Sequence, residues 1–371
     1  MIFRAFCLSE DRISAIRTKR IHEFPRRSED EKSSVGQGIT CPIEGSFMEQ
    51  GKPGSCKGPG KRRMFMASVL VAACTLPIPL MATHVRASEN AAASFTKNTK
   101  EDSMKRIGSG KNYVRYELGE LQIIALRDGY VDMPTTRLRQ QGNKPFADLP
   151  DQVELVNGKL RLSVNAFLII DGDDYTLIDT GAADSWEPSM GDLLDTLKEA
   201  GVAREKITTV ALTHTHEDHS HGLVAAGGSD AFPNLRHLFV PRNEVPLFDR
   251  IDRVARFHRL RTPIDDGFKV SANITAIGAH GHEVGHTAYE VSSAGETLLI
   301  WGDIIHVPSI QFDRPGLTWE YDADQEAARS SRVKMLRRAA KPNVYVGGAH
   351  LDSPGVGKVV ESGEDYDFKP L

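Results

Sequence analysis

Thr213-His214-Thr215-His216-Glu217-Asp218-His219-Ser220-His221-Gly222 (THTHEDHSHG, 213–222) places four imidazoles and two carboxylates in ten residues, directly after the apolar stretch 207–212. Neutral imidazole suits zinc and related first-row metals, and carboxylates add charge compensation. In an extended segment alternate side chains share a face, so His214 and His216 reach one ion together. Asp218 and His219 then turn toward a second position close by. A lone histidine such as His237 or His258 is ordinarily exposed or hydrogen-bonded; four ligand-type residues within six positions, His-x-His-x-Asp-His, are a metal site.

Working outward, other apolar runs end in the same kind of residue. After 273–277 comes GAHGHEVGHT (278–287), with His280, His282 and His286; 297–301 runs into Gly302-Asp303; 343–346 runs into Gly347-Gly348-Ala349-His350. Sites of α/β sheets lie at the carboxyl ends of strands. Two ions roughly 3.5–4 Å apart, with a carboxylate between them and a bridging hydroxide, need about seven protein ligands. The sequence supplies that number: His214, His216 and His286 for the first ion, Asp218, His219 and His350 for the second, and Asp303 between. Two zinc ions per chain are the expected cofactors, with iron, cobalt or manganese as alternatives.

Strands are predicted over 121–126, 166–170 and 175–178, the last two joined by the turn-prone Asp171-Gly172-Asp173-Asp174, and over the four runs that precede the ligands. Residues 190–200 set Leu193, Leu194, Leu197 and Ala200 on one helical face, with Gly201 where a C-cap belongs. A second helix over 323–340 is stopped by Pro342. Strands mixed with helices indicate α and β layers.

Charge divides the chain. Residues 1–87 hold 14 basic and 8 acidic side chains (+6), and 88–371 hold 32 and 42 (−10). An acidic body does not suit a nucleic-acid binder. All four cysteines (Cys7, Cys41, Cys56, Cys74) precede residue 88, so cysteine–zinc sites, disulfides and a cysteine nucleophile are excluded from the body. The front reads as an address. Lys61-Arg62-Arg63-Met64-Phe65 leads into a short apolar run, 67–82, with Val85-Arg86-Ala87 as a cleavage site before Ser88. The paired arginines resemble a twin-arginine export signal, implying a periplasmic or secreted protein with no stable membrane insertion; the run falls short of the ~20 residues a spanning helix needs. Lipid anchoring at Cys74 is the minor alternative, and Met48 is a candidate start. The expected organisation is 1–87 extension and signal, 88–111 flexible linker, 112–371 the domain that carries the metal ligands.

HTHEDH (214–219), Gly285-His286, Gly302-Asp303 and the late His350 together resemble the metallo-β-lactamase superfamily, which implies an αββα sandwich. Asp179-Thr180-Gly181 is similar to that family's early Asp-Thr-Gly, whose Asp supports the metal loop from behind the ligands. GDIIHVPSIQFDRP (302–315), AHLDSPGVGKV (349–359) and Asp128-Gly129 followed by Pro134 are most similar to the branch of methyl parathion hydrolase and its lactonase relatives. His221 departs from the family, which usually has Gly-Gly after its Asp-His-x, and His306 stands where acyl-homoserine lactonases place a tyrosine.

The implied reaction is attack of the bridging hydroxide on an ester, lactone or phosphotriester, a small-molecule substrate. Asp218 would orient the hydroxide. His306, with His221 second, would hydrogen-bond the developing oxyanion or protonate the leaving group. Aromatics of the loops (Phe248, Phe257 and Phe268; Tyr130 and Phe146; Phe312 and Trp319) either line an apolar pocket or pack the loops down. Arg250, Arg253, Arg256 and Arg259 read as a solvated helix face. The sequence leaves a homodimer open. The rivals are a β-lactamase, against which Asp303 counts; a di-iron redox protein, for which no Gly-rich flavin segment is present; and a non-enzymatic metal binder, which would normally lack a ligand.

Overall fold

Residues that alternate in the sequence face two different cores. In the computed structural model, Ile123 and Ala125 point into one apolar cluster while Ile124 and Leu126 point into another, and Phe167 and Ile169 oppose Ala166 and Leu168 in the same way. Strands covered on both faces need no polar side, which is why they read as continuous apolar runs. The structure describes residues 104–371. The export signal, Cys74 and Met48 therefore lie outside the described residues.

The first sheet runs in chain order: β1 (Met104–Ser109), β2 (Tyr113–Leu118), β3 (Leu121–Pro134), β4 (Lys159–Asp171), β5 (Asp174–Ile178), β6 (Thr209–Ala211), β7 (His237–Pro241) and β8 (Arg261–Ile264), with the short strand Leu155–Val156 added beside β4. Pairing is antiparallel from β1 to β5 and parallel from β5 to β8. The second sheet comprises β9 (Ile274–Gly278), β10 (Thr287–Ser293), β11 (Glu296–Ile300), β12 (Val344–Gly347), β13 (Val356–Ser362) and β14 (Asp365–Pro370), antiparallel except for β11 with β12. The core between the sheets includes Tyr116, Ile123, Phe167, Ile178 and Ala211 from the first, and Tyr289, Leu298, Ile300 and Tyr345 from the second. Outside the first sheet lies α1 (Leu193–Glu199), with Leu193 and Leu197 inward; outside the second lies α3 (Gln325–Ala339), with Met335, Leu336 and Ala339 inward. The expected αββα sandwich is the architecture found.

Two boundaries differ from expectation. The 88–111 segment is not linker throughout, since its residues 104–109 form β1, paired with β2. Met104 alone in that strand is buried, so the sequence carries no alternation to announce it. Helix α1 starts late because its cap comes from elsewhere. The Asp128 carboxylate, at the bulge of β3, accepts the backbone N–H groups of Ala182 (3.0 Å), Gly191 (3.2 Å) and Leu193 (3.1 Å), the last of them a donor that the helix start leaves unpaired. Helix α3 is capped locally, by Asp324 accepting from Glu326 and Ala327, and ends before Pro342.

Candidate metal centre

The ends of β6, β9, β11 and β12 meet at one edge of the sandwich. The turn after β6 carries His214 and His216 and enters α2 (Glu217–Ser220), which carries Asp218 and His219. Asp179, just past β5, aims the loop. It sits at φ 60, a left-handed conformation uncommon for aspartate. Its carboxylate accepts from Thr213 N–H (2.7 Å), Thr213 hydroxyl (2.8 Å) and His219 Nδ1 (2.8 Å). Gly302 has φ +54, and a Cβ there would stand 2.6 Å from His286 Nε2, so the approach to Asp303 needs glycine.

Two groups of ligand atoms converge. In the first, His214 Nε2 lies 3.0 Å from His216 Nδ1, His282 Nε2 lies 3.1 Å from His216 Nδ1 and 3.1 Å from Asp303 Oδ2, and His214 Nε2 is 3.8 Å from that oxygen. In the second, His219 Nε2 lies 3.2 Å from Asp303 Oδ1 and 3.5 Å from Asp218 Oδ2; His350 Nε2 lies 3.1 Å from Asp303 Oδ2 and 3.6 Å from Asp218 Oδ2. Donors ~2.0–2.1 Å from a tetrahedral zinc stand roughly 3.4 Å from one another, which is the spacing found. Asp303 touches both groups.

The outer nitrogens decide what the inner ones present. His219 Nδ1 faces Asp179, His216 Nε2 faces Glu283 (2.9 Å), His282 Nδ1 faces Asp322 (2.8 Å) and His350 Nδ1 faces the Ser163 carbonyl (2.7 Å). His214 Nδ1 lies 3.1 Å from Thr213 Oγ1, whose own hydrogen goes to Asp179. In the neutral form that metal binding requires, each ring donates outward and its second nitrogen turns a lone pair inward. Five lone pairs and two carboxylates aimed at one another in a buried space repel unless cations lie between them, and His219 Nε2 and Asp303 Oδ1 are buried without a hydrogen-bond partner. Electrostatics agree. Burial works against charge on His219 and His282, yet the surrounding carboxylates outweigh it, carrying His219 well above the usual range and His282 up to about 10. Asp303 is held well below the usual carboxylate range despite burial, by the imidazoles of His350, His219, His282 and His214. The donor set fits metal ions at two adjacent positions: His214, His216 and His282 would hold one and Asp218, His219 and His350 the other, with Asp303 between them.

The expectation for His286 is corrected by this geometry. His286 Nδ1 donates to the Ala279 carbonyl (2.9 Å) and its Nε2 accepts Asp303 N–H (3.0 Å), so both nitrogens are engaged by backbone. His282 stands in the ligand position instead. Gly281-His282 and Gly285-His286 are equivalent pairs in the sequence, and only the turn between them tells which ring faces the centre. His221 is also relocated. Its ring belongs to neither ligand group and does not line the cleft, and its carbonyl accepts Arg253 Nε (3.0 Å). Arg253 further holds the Val224 carbonyl and Asp184, so it is a strap across loops and not part of a solvated face.

Above the centre opens a narrow cleft of ≈ 40 Å³ lined by Val131, Met133, Leu162, Trp186, Trp319 and Tyr321 along with the candidate ligands. Of the aromatics the sequence offered, Trp319 alone reaches it; Phe146, Phe248, Phe257 and Phe312 are in the cores and Phe268 packs beside one. Trp186 and Tyr321 carried no signal beyond being isolated aromatics in polar loops. His306 lies fully buried on the cleft floor, stacked between Trp319 (centroids 5.1 Å) and His350 (5.2 Å), with Nε2 3.3 Å from Asp303 Oδ2. Among the described residues no helix is long and apolar enough to cross a membrane.

The metallo-beta-lactamase superfamily model matches residues 160–350. Among solved structures, the chain is similar to hydrolase AbOPH of the beta lactamase superfamily (27% identity, TM-score 0.62, covering 71% of this chain and 99% of that one). It is similar in fold to AidC, described as a dizinc quorum-quenching lactonase (23%, TM-score 0.60, 73% and 99%), and to a probable metal-dependent hydrolase from Staphylococcus aureus (19%, TM-score 0.57, 69% and 98%). No curated protein matches the sequence. With the sandwich, the ligand order along the chain and the family model in agreement, the chain belongs to the metallo-beta-lactamase superfamily.

Proposed function

We propose that this protein is a dinuclear metal-dependent hydrolase acting on an ester, lactone or phosphotriester. The observation that carries the reading is the convergence of five inward lone pairs and two carboxylates on two adjacent positions, at the floor of a cleft. A pair of dications held there would lower the pKa of a water molecule toward neutrality and polarise a carbonyl or phosphoryl oxygen, making its carbon or phosphorus more electrophilic. The chain's own residues position everything else. Asp303 ties the two ligand groups together, and Asp218 faces the second of them at the cleft floor, where it orients the attacking water.

The walls Val131, Met133, Leu162, Trp186 and Tyr321 are mainly apolar, and favour a substrate with an apolar substituent beside its reacting centre. Burial drives His306 down to about 4, so at neutral pH its ring is uncharged. Its role is to donate a hydrogen bond to an oxygen that gains charge, and not to deliver a proton from an imidazolium. Zinc is the metal the donor set fits first, with iron, cobalt and manganese as alternatives. The Lys61-Arg62-Arg63 signal supports action outside the cytoplasm, which a mature amino terminus at Ser88 would establish.

The test is metal analysis of the purified chain with an activity panel of a lactone, an aryl ester, a phosphotriester and a β-lactam. Turnover of one or more of the first three, lost on chelation and restored by metal, is expected. Turnover of the β-lactam alone would overturn the substrate class.

A further inference from the structure

Helix α3 sends one buried cation toward the centre. Arg332 is 1% exposed and is surrounded by main-chain oxygens: Nε donates to the Ile304 carbonyl (2.6 Å), and one terminal nitrogen to those of Leu317 (2.5 Å) and Pro315 (3.3 Å). Its other terminal nitrogen stands 3.7 Å from Asp322 Oδ2. The oxygens it gathers belong to two segments, the turn that follows Asp303 and the loop that supplies Trp319 and Asp322. Asp322 is buried as well, and both its oxygens are committed. Oδ1 accepts His282 Nδ1 (2.8 Å) and Oδ2 accepts Trp319 N–H (2.9 Å), so it joins His282 to the segment of Trp319.

We propose that Asp322 is a positioning residue for His282, held in register with the shared Asp303 by Arg332, so that α3 governs how tightly the first ion is bound. The proposal rests on the metal-centre reading above. Asp322 fixes the tautomer of His282, because a ring donating from Nδ1 must present its Nε2 lone pair to the ion. Arg332 fixes the distance between His282 and Asp303, because its rigid fork spans both segments at once, which a lysine point charge cannot do. The second group has separate supports, Asp179 behind His219 and the Ser163 carbonyl behind His350, and stands apart from this arrangement.

Asp322→Asn tests it. An asparagine must place its NH₂ against either His282 N–H or Trp319 N–H. By chelator competition with zinc, the variant is expected to hold one of its two ions roughly 10- to 100-fold more weakly and the other as the unsubstituted protein does. In the zinc-loaded protein, ¹⁵N NMR should show His282 protonated at Nδ1 and bound through Nε2, and that preference should weaken in the variant. Unchanged affinity for both ions with an unchanged tautomer would overturn the proposal and leave the metal centre standing; no zinc bound by the unsubstituted protein would overturn both. If Asp322→Asn does not fold, Arg332→Lys replaces it, with a weakening of roughly 3- to 10-fold at the same ion expected from loss of the fork and unchanged affinity contradicting it. In the zinc-loaded unsubstituted protein, His282 protonated at Nε2 contradicts the proposal without any variant.

Discussion

The two sheets serve the centre in different ways. The first delivers four candidate ligands from a single turn, His214 to His219, braced by Asp179 from the neighbouring strand end. The second delivers three, His282, Asp303 and His350, from the ends of three separate strands, and depends on the register of β9, β11 and β12 and on α3 behind them. A local turn fixes its ligands by short-range geometry. Dispersed ligands meet only if the whole sheet is in place. The first sheet's contribution should therefore fail residue by residue, and the second's through its supports.

The largest effect is expected where the halves join. Asp303→Ala removes the carboxylate common to both groups, so bound metal should fall from two ions per chain to at most one. Hydrolysis should drop by at least about 10³-fold, corresponding to several kcal/mol of lost stabilisation. Retained activity with two ions would break the account of Asp303. Next come the two ends of the first-sheet turn. His216 is 36% exposed at its side chain and His219 only 1%. Both alanine variants should lose hydrolysis. Only His219→Ala should also lose stability, by about 1–3 kcal/mol, because Asp179 is left buried short of a donor. Equal unfolding midpoints for the two would erase the distinction.

His286→Ala separates the ligand from its neighbour. It should keep two bound ions while losing about 1–3 kcal/mol of stability, since the Asp303 N–H and the Ala279 carbonyl lose buried partners; loss of an ion would restore His286 to the ligand set. The smallest effect belongs to His221→Ala, expected to leave metal content unchanged and kcat within about twofold, as is usual for a side chain outside the site. A loss of tenfold or more would give His221 a role that the cleft does not.

The same contrast explains what could be read from the chain. HTHEDH was legible because its chemistry is consecutive, and seven of the strands because burial on both faces makes them uniformly apolar, whereas strands such as β2 and β14, with polar side chains interleaved, were not. Asp303 and His350 followed as residues just past such runs. His282 could not be told from His286, because two Gly-His pairs four residues apart differ only in which ring the intervening turn directs at the centre. Arg332 and Asp322 were invisible for another reason. Their partners are backbone carbonyls and N–H groups of distant segments, which carry no residue-type signature. β1 was missed because a strand with one buried side chain has no alternation, and Trp186 and Tyr321 because isolated loop aromatics pack into cores as often as they line a pocket, as Phe248, Phe257 and Phe312 do here.

The central claim is most directly tested by anomalous scattering from crystals of the zinc-loaded protein. Two peaks roughly 3.5–4 Å apart are expected, one bounded by His214, His216 and His282, the other by Asp218, His219 and His350, with Asp303 touching each. A single peak, or a zinc ligated by His286 while His282 stays on Asp322 alone, would contradict it.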